Sequence, residues 1–490
     1  MHFLDLTACV LTVLALLCAW IWDRNRRRSL PFPPGPPGRP LIGNMLDFDP
    51  TSAWAKFTEW KDTHGDLVGL NVLGNKMLVL NSQKAMDDLL DKRSHVYCHR
   101  PAWVGAGELM GFDRSMILME YGAEWRASRK LEHIALGPAA MRQYEPMQEK
   151  FAATLAKDIL ESPDHFYDLT RLCTARIVLA LTYGLSASIL DEKYIAHAEK
   201  TLGVLAEAVF PGEFLCDLLP FLKHLPRWVP FQRRAARGRE MLETHVNVPY
   251  ERVKAEIAAG VAGPSLAHEL LDAENERGLT PEMDERIKWT TGIICQTFAA
   301  ILVFMLAVAN NSEAQRKAQE ELDRVVGTDR LPLLSDRGSL PYVEALIKEV
   351  MRWHPILPLS VPRRTARDDV YEGYVIPKDT VVFPNNWCVR DDTTHEFIPE
   401  RFLDDDCPTA DPSTWAFGYG RRVCPGKLLG EGNTFIVMAT LLATLDIASP
   451  DGKPLVPEYE SRMVSMPKRF KCRFTPRPGK RAEQARAAAM

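Results

Sequence analysis

The chain lacks an excess of charge of either sign, because its 60 Lys and Arg residues nearly balance 64 Asp and Glu residues. Proteins that bind nucleic acid through its phosphates usually carry a strongly basic face or stripe. The composition therefore gives no indication of a nucleic-acid partner. Internal repeats and low-complexity linkers are also absent from residues 41–470. The length alone would allow about three domains. Without repeats or internal linkers, one large domain is the simpler interpretation.

Closely spaced cysteine pairs are missing as well. Ten cysteines are scattered along the 490 residues, and none of them forms a Cys-x-x-Cys pair. Structural zinc sites and small disulfide-linked domains both depend on such patterns. The sequence therefore argues against a zinc site and against a disulfide scaffold, and the cysteines are interpreted as reduced thiols.

One of these cysteines, Cys424, lies in a glycine-rich run, FGYGRRVCPG, at residues 417–426. The three glycines of this run allow positive φ angles and leave room for a flat group that a Cβ would block. An apolar run typical of a helix follows at residues 428–445. Backbone N–H groups at the start of a helix stabilise a thiolate. The run therefore predicts a thiolate presented to a flat metal cofactor, and the alternative is a buried structural cysteine after a glycine turn.

With this run the chain resembles the cytochrome P450 family of haem-thiolate monooxygenases, in particular membrane-bound fungal enzymes of secondary metabolism. The resemblance implies a mainly α fold with small β-sheets (α+β), in which a single large haem domain follows an N-terminal membrane helix. It also implies that Cys424 is the axial ligand of the iron of haem b. Phe417, Gly418 and Gly426 would contact this cofactor, and Arg422 would bind one of its propionates.

Two further motifs carry the resemblance. In Glu349-Val-Met-Arg352 the carboxylate and the guanidinium are three residues apart, so they share one face of a helix. Such a pair alone is most often a solvated surface pair. The family closes a buried Glu-Arg-Arg cluster with a second arginine, which here is Arg401 in Pro399-Glu-Arg-Phe402. We therefore expect these three residues to be structural.

Trp125 and Arg129 lie one helical turn apart, and the resemblance implies that both bind a haem propionate. In isolation they would be interpreted as a pair on a helix surface. Arg363 matches another propionate position of the family, although many relatives carry His there.

The chain departs from its family at the oxygen-activation motif. Residues 292–297 read GIICQT, so Cys295 replaces the motif's acid and Gln296 its first alcohol, whereas Thr297 keeps a hydroxyl. Cleavage of an O–O bond requires two protons, and neither a thiol nor an amide replaces a carboxylate as their source. We expect protons from Thr297 with water, from a water positioned by Gln296, or from a substrate hydroxyl. The alternative is that Cys295 and Gln296 merely pack the helix.

The N-terminus predicts the location of the protein. Residues 1–22 are interpreted as a transmembrane anchor, because residues 6–22 are uncharged, mostly apolar and about as long as a short span requires. The basic cluster at 23–28 would then lie in the cytosol, and a cleaved signal peptide is the alternative. We expect a basic and Pro-rich linker at 23–40, the haem domain at 41–474 and a basic flexible tail at 475–490. The prediction is a single-pass protein of the endoplasmic reticulum membrane whose haem domain faces the cytosol.

Secondary structure can be predicted in outline. Extended runs at residues 67–72 and 77–80 are separated by Gly74-Asn75, which indicates a hairpin. The valine-rich run at 374–383 belongs with them, and long helical patterns fill 140–350. By resemblance, an apolar distal pocket would be lined by the following segments: 101–120, 202–228, 292–304, 356–361 and 463–467.

Three classes of function remain open at this stage. In the first, NADPH-cytochrome P450 reductase, with cytochrome b5 as an additional candidate partner, delivers electrons at a basic face near Arg421 and Lys427. One oxygen atom of O2 then enters a C–H bond of a lipophilic terpenoid or polyketide. The second is an electron-independent isomerase or peroxygenase, which the missing acid favours. The third is a haem-binding protein without turnover.

Overall fold

The computed structural model describes eight ranges of the chain: residues 30–49, 52–184, 192–209, 212–292, 298–390, 396–404, 409–461 and 463–488. The predicted membrane anchor, the basic cluster and the positions Cys295, Gln296 and Thr297 lie outside these ranges. Within them, no single helix is long and apolar enough to cross a membrane. Phe298–Asn310 and Ser312–Val325 reach that length and composition only as a pair bent by 107°.

Most of the described chain is helical, which confirms the prediction of a mainly α fold. The α-helices are, in chain order, α1 (Ala53–His64), α2 (Gln83–Met86), α3 (Ala123–Leu136), α4 (Pro138–Glu161), α5 (Phe166–Tyr183), α6 (Glu192–Ala208), α7 (Leu215–Leu218), α8 (Pro230–Ala258), α9 (Leu266–Asn275), α10 (Pro281–Gly292), α11 (Phe298–Asn310), α12 (Ser312–Val325), α13 (Pro341–Trp353), α14 (Asn386–Val389), α15 (Ser413–Ala416), α16 (Lys427–Thr444) and α17 (Arg481–Ala488). Two π-helical segments, Asp87–Lys92 and Val104–Leu109, follow α2 and precede α3.

Small sheets complete the fold, as expected. The strands are β1 (Leu67–Val72), β2 (Asn75–Leu80), β3 (Arg363–Arg364), β4 (Asp369–Tyr371), β5 (Tyr374–Ile376), β6 (Val381–Pro384), β7 (Leu445–Ala448), β8 (Tyr459–Ser461), β9 (Ser465–Pro467) and β10 (Arg473–Pro476). The largest sheet has the order β1-β2-β6-β3, and the described strands also form the pairs β10-β7, β4-β5 and β8-β9. β1 and β2 are antiparallel, with Val72 opposite Asn75, so the predicted hairpin is confirmed.

The core is centred on α11, whose sequence FAAILVFMLAVAN is apolar on every face. A helix of this kind is stable in water only when other elements surround it. α11 contacts α5, α13 and α16, and its residues from Ala299 to Val308 are all buried. α16, which follows the cysteine run, is also almost wholly buried. The predicted helix after Cys424 is therefore one of the central elements of the domain.

The Pro-rich segment packs against the sheets, although the sequence places it in a linker before the haem domain. The Gly69 amide donates to the Pro34 carbonyl at 2.8 Å, and the Val375 amide donates to the Pro31 carbonyl at 2.9 Å. A Cβ on Gly35 would lie 1.8 Å from the Gly69 carbonyl oxygen. Proline leaves the carbonyls of its segment free to accept hydrogen bonds, and glycine permits the close approach.

The C-terminal segment also differs from the flexible tail that we expected. Arg481 of α17 is buried and pairs with Asp323 of α12 at 2.7 Å, and Arg477 pairs with the same carboxylate at 2.7 Å. Ala485 is fully buried in the central core. Charge pairing and a small apolar contact thus attach a segment whose composition alone suggested no partner.

Candidate functional site

The cysteine run forms a tight loop between α15 and α16. The Cys424 amide donates to the Phe417 carbonyl at 2.8 Å, which closes the loop. Gly418 has a φ of 81° and Gly420 a φ of 48°, in the region that favours glycine. A Cβ on Gly420 would lie 2.3 Å from the Leu90 carbonyl oxygen. The backbone conformation therefore requires glycine at 418 and 420, and the close contact with Leu90 is a second reason for glycine at 420.

Cys424 faces a recess of the domain. Its side chain is accessible to solvent, yet enough protein surrounds it that burial raises the pKa of its thiol. The backbone N–H of Gly426 opposes this shift by favouring the thiolate. α16 begins three residues after Cys424, at Lys427. Since a coordinating metal deprotonates a thiol, a sulfur that is accessible in this setting is suited to bind a metal.

Three buried arginines lie at or beside the cysteine loop: Arg422 within it, Arg363 from β3, and Arg100, which no sequence motif identified. Within the described ranges, none of them has a carboxylate within the 4.0 Å of an ion pair. Burial, followed by the charge of Arg422, lowers the pKa of Arg363 to about 9. Burial also lowers the pKa of Arg422 to about 10, and burial beside Arg363 and Arg422 holds the pKa of Arg100 well below its usual range. We call these three residues the unpaired arginine cluster.

Backbone carbonyls hold the cluster in place. Arg422 donates to the carbonyls of Cys98 and Met119 at 2.8 and 2.7 Å. Arg363 donates through Nη2 to the Tyr419 carbonyl at 3.0 Å, whereas its buried Nε has no hydrogen-bond partner. Carbonyls satisfy N–H groups, but they do not neutralise the positive charge.

Arg100 is held in the same way. Its Nη1 donates to the carbonyls of Val361 and Pro362, each at 2.8 Å, and its Nε donates to the Ile117 carbonyl at 2.8 Å. Its guanidinium therefore links the segment before α3 to the segment that leads into β3. Arg100 is therefore held in place by residues more than 260 positions away in the sequence.

α3 brings the predicted tryptophan and arginine to the same place. Trp125 is buried, and its Nε1 has no hydrogen-bond partner. The guanidinium of Arg422 lies 4.8 Å from the Trp125 ring centroid, and that of Arg129 lies 6.0 Å from it. Trp125, Arg129 and Arg422, predicted from separate motifs, are therefore neighbours.

These residues fit a haem. An uncompensated buried charge is costly, and the unpaired arginine cluster holds three of them beside two orphaned N–H donors, Trp125 Nε1 and Arg363 Nε. Haem b carries two carboxylates, which would supply the missing negative charge and the missing acceptors. Its iron would accept the sulfur of Cys424, which follows Arg422 by two residues in the same loop. In the described part of the chain, no group of three His, Cys, Asp or Glu side chains is arranged to hold a metal ion by itself.

The predicted Glu-Arg-Arg cluster is formed and buried. Glu349 accepts from Arg352 through both carboxylate oxygens, at 2.7 and 2.8 Å, and Arg401 Nε lies 3.2 Å from Glu349 Oε2. The Ile398 amide donates to the same carboxylate at 2.7 Å. Arg352 also donates to the Arg390 carbonyl at 2.8 Å. The cluster fastens α13 to the chain that leads toward the cysteine loop.

Segments predicted to line the distal pocket meet in one apolar cluster. Its buried residues come from the π-helical segment Val104–Leu109 and its surroundings, from α6 to α8, and from α10; they are Trp103, Val104, Ala106, Met110, Phe112, Leu118, Leu205, Ala208, Val209, Phe214, Cys216, Ala235, Leu242, Val246 and Trp289. Val361 and Met463 pack against it. Four of the five predicted segments thus contribute to the cluster. In the fifth, 292–304, residues 293–297 lie outside the described ranges, and residues 300–304 belong to the central core instead.

Comparison with known proteins gives a consistent result. The family model described as Cytochrome P450 matches residues 33–474. Cytochrome P450 monooxygenase claR of Ampulloclitocybe clavipes is 38% identical over 483 residues, which cover 94% of this chain and 89% of that protein. Tryptamine 4-monooxygenase of Psilocybe cyanescens is 37% identical, with 96% of this chain and 98% of that protein covered. Cytochrome P450 monooxygenase COX2 of Coprinopsis cinerea is 36% identical, with 92% and 90% covered.

Proposed function

The chain belongs to the cytochrome P450 family of haem b monooxygenases, and we propose that it oxidises a C–H bond of a lipophilic small molecule in fungal secondary metabolism. The observation that carries the proposal is that Cys424 and the unpaired arginine cluster meet at one loop: Arg422 precedes Cys424 by two residues, and Arg363 donates to the Tyr419 carbonyl of the same loop. A cysteine alone has many structural uses. A cysteine beside buried cations without counter-charges calls for an anionic metal cofactor.

Each site residue then has a role toward that cofactor. Cys424 would bind the haem iron through its sulfur. Phe417, Gly418 and Gly426 shape the loop that presents the sulfur, and Gly426 also offers it an amide. Two groups of residues on different elements would hold the propionates: Trp125 and Arg129 on α3, and Arg363 and Arg422 on β3 and the loop.

Haem b, when bound, supplies the activation of O2 and the transfer of one oxygen atom to the substrate. The protein must keep water out, orient the substrate and deliver protons. The apolar cluster around Trp103 and Phe214 serves the first two tasks. For the third we assign Thr297 as the hydroxyl that passes protons from water, with Gln296 positioning a water and Cys295 in the place of the usual acid.

The substrate is proposed to be of terpenoid or polyketide type, because the residues that meet in the distal cluster are mostly apolar and aromatic. A relative that carries the name tryptamine 4-monooxygenase shows that this group of enzymes also includes one named for an aromatic amine. A test set of substrates should therefore include indoles beside terpenes.

Electrons are proposed to come from NADPH through cytochrome P450 reductase, with cytochrome b5 as an additional donor. Arg421 is exposed and lies next to the cysteine loop, and Lys427 begins α16. An acidic partner surface would meet both cations close to Cys424. Electrostatic steering of this kind raises association rates.

The proposed location is the endoplasmic reticulum membrane, with the haem domain in the cytosol. It rests on the apolar run at residues 6–22 and the basic cluster at 23–28. Large apolar side chains exposed near the N-terminal side of the domain support it, since Leu41 is 94% and Trp228 is 73% exposed. The segments that carry them meet through Met45 and Leu219, which pack against one cluster. A membrane surface would cover these side chains.

A second candidate function is favoured by Cys295 and Gln296. An isomerase or peroxygenase receives oxygen that is already reduced, so it does not need the acid that this chain lacks. A haem-binding protein without turnover is the third reading of the same residues.

One experiment separates the three. The purified holoprotein is given candidate substrates with reductase, NADPH and O2, or with a hydroperoxide alone. We expect product only with reductase, in proportion to the NADPH consumed. Product from the hydroperoxide alone would favour the second function, and no product under either condition with any substrate of the panel would favour the third.

A further inference from the structure

Glu132 lies on the face of α3 that also carries Trp125 and Arg129. It follows Trp125 by seven residues and Arg129 by three, so all three side chains share one side of the helix. Glu132 is only 4% exposed. A charged side chain at this depth is rare unless it is paired, and neither the motifs nor the resemblance assigned it a role.

Its carboxylate is poorly satisfied. Oε2 is buried without a hydrogen-bond partner, and the nearest cation, Arg129 Nη1, lies 3.8 Å away. Glu124, on the first turn of the same helix, is different. It is half exposed and accepts two hydrogen bonds from Arg286, at 2.7 and 2.8 Å. The chain therefore provides a matched acid that is exposed and paired.

We propose that Glu132 is a positioning residue that shares Arg129 with a carboxylate of the cofactor, so that the proton on Glu132 controls how firmly the haem is held. The inference rests on the proposed function, because it takes Arg129 to bind a propionate. Glu132 itself touches neither substrate nor iron in this account; it acts through Arg129.

The physical reason is competition between two anions for one guanidinium. When Glu132 is protonated, Arg129 is available to the propionate. When Glu132 is ionised, its charge attracts Arg129 and repels the propionate, and both effects are strong where water is excluded.

The groups that interact with Glu132 determine the pH at which it loses its proton. They are Arg129 from its own helix and Cys424 from the cysteine loop, each linked to Glu132 electrostatically. Burial raises the pKa of Glu132 to about 8, while Arg129 opposes the shift. A propionate near Arg129 adds negative charge and raises the pKa further. The proton is therefore present at neutral pH and leaves in alkaline solution.

The test is the rate at which the full-length holoprotein loses its haem to an excess of apomyoglobin. Between about pH 7 and about pH 9.5 we expect the wild-type rate to rise about tenfold, which corresponds to about one pKa unit of coupling. Glu132→Gln should release haem slowly throughout this range. Glu124→Gln, which removes an exposed acid from the same helix, should behave like the wild type.

A second readout is the midpoint potential of the haem iron. It should fall more steeply with rising pH in the wild type than in Glu132→Gln, because the variant never acquires the negative charge. A merely structural carboxyl would change stability but not this slope.

Two results would overturn the inference: a wild-type rate that does not change with pH, or a Glu132→Gln variant that keeps the wild-type dependence. The first can be read from the wild type alone, so the test does not depend on how the variant folds. A protein that binds no haem in the thiolate form at neutral pH would instead contradict the proposed function, and the two failures are distinguishable.

Discussion

Two buried clusters of arginine in this domain differ in one respect, the presence of an acid. Glu349 neutralises Arg352 and Arg401, with contacts from 2.7 to 3.2 Å. In the unpaired arginine cluster, Arg100, Arg363 and Arg422 donate their hydrogen bonds to backbone carbonyls, and none of them forms an ion pair within the described ranges.

The difference separates structure from function. A cluster whose charges balance within the chain can serve the fold alone. A cluster with an uncompensated charge is stable only if something else compensates it, and that requirement identifies a binding site. The unpaired cluster lies where Cys424 faces its recess, so a single anionic metal cofactor accounts for both.

The largest effect is expected from removing the acid of the cluster formed by Glu349, Arg352 and Arg401. Glu349→Gln removes the acid that neutralises the buried Arg352, which should cost about 3–5 kcal/mol. Thermal unfolding of the purified domain measures it, and a drop in yield of folded protein would accompany it. Glu344→Gln removes an acid from the same helix whose pair with Arg337 is partly exposed. It should cost no more than about 1 kcal/mol, and equal losses in the two variants would contradict the comparison.

The next largest effect is expected in the unpaired arginine cluster, where a substitution should weaken haem binding without destabilising the haem-free protein. Arg422→Met removes a buried charge, so the haem-free protein should be as stable as the wild type or more stable. Haem affinity should fall by about tenfold to about a hundredfold, the worth of a charge-assisted hydrogen bond. Haem titration and melting curves with and without haem measure both. A variant that is equally destabilised in both states would show that Arg422 serves the fold alone.

A smaller effect concerns a carboxylate missing from the distal side. Cys295→Asp combined with Gln296→Thr restores the acid and alcohol of the family. With surrogate substrates it should raise the share of NADPH that ends in product by several-fold and reduce hydrogen peroxide, because positioned acids speed proton transfer. With the native substrate the gain should be smaller. Unchanged coupling for every substrate would mean that Cys295 and Gln296 only pack the helix and that water suffices.

The smallest effect is the pH dependence of the haem-free protein. The folded-state pKa of Glu132 is raised to about 8 by burial, above its unfolded value of about 4.3. Its contribution to stability is therefore best at acidic pH, and is lost as pH rises from the unfolded value through the folded one. The melting temperature of Glu132→Gln should exceed that of the wild type by a few degrees at about pH 8.5, and the difference should vanish near about pH 5. A difference that is constant with pH would contradict this assignment.

The sequence predicts the parts of the site that depend on local spacing. Three features each span ten residues of the chain or fewer: the loop around Cys424, the Glu349–Arg352 pair and the Trp125–Arg129 pair. The hairpin of β1 and β2 and the helix after the cysteine also follow from local patterns.

Contacts between segments that are distant in the sequence do not follow from such local patterns. Arg100 is followed by proline in an otherwise ordinary stretch, and its place beside Arg363 depends on packing across more than 260 residues. The attachment of Arg481 to Asp323 is also a long-range contact, across 158 residues. Glu132 did offer a local signal, because an acid seven residues after Trp125 shares its helical face; its burial, however, follows only from the packing of α3.

The central claim is that the Cys424 recess and the unpaired arginine cluster form one haem-thiolate site. The most direct measurement is the spectrum of the reduced CO complex for the wild type, Cys424→His and Cys472→Ser, which changes a cysteine far along the chain from the loop. The account predicts the strongly red-shifted Soret band of a thiolate ligand in the wild type and in Cys472→Ser, and its loss in Cys424→His even if haem is retained. Persistence of that band in Cys424→His would contradict the account.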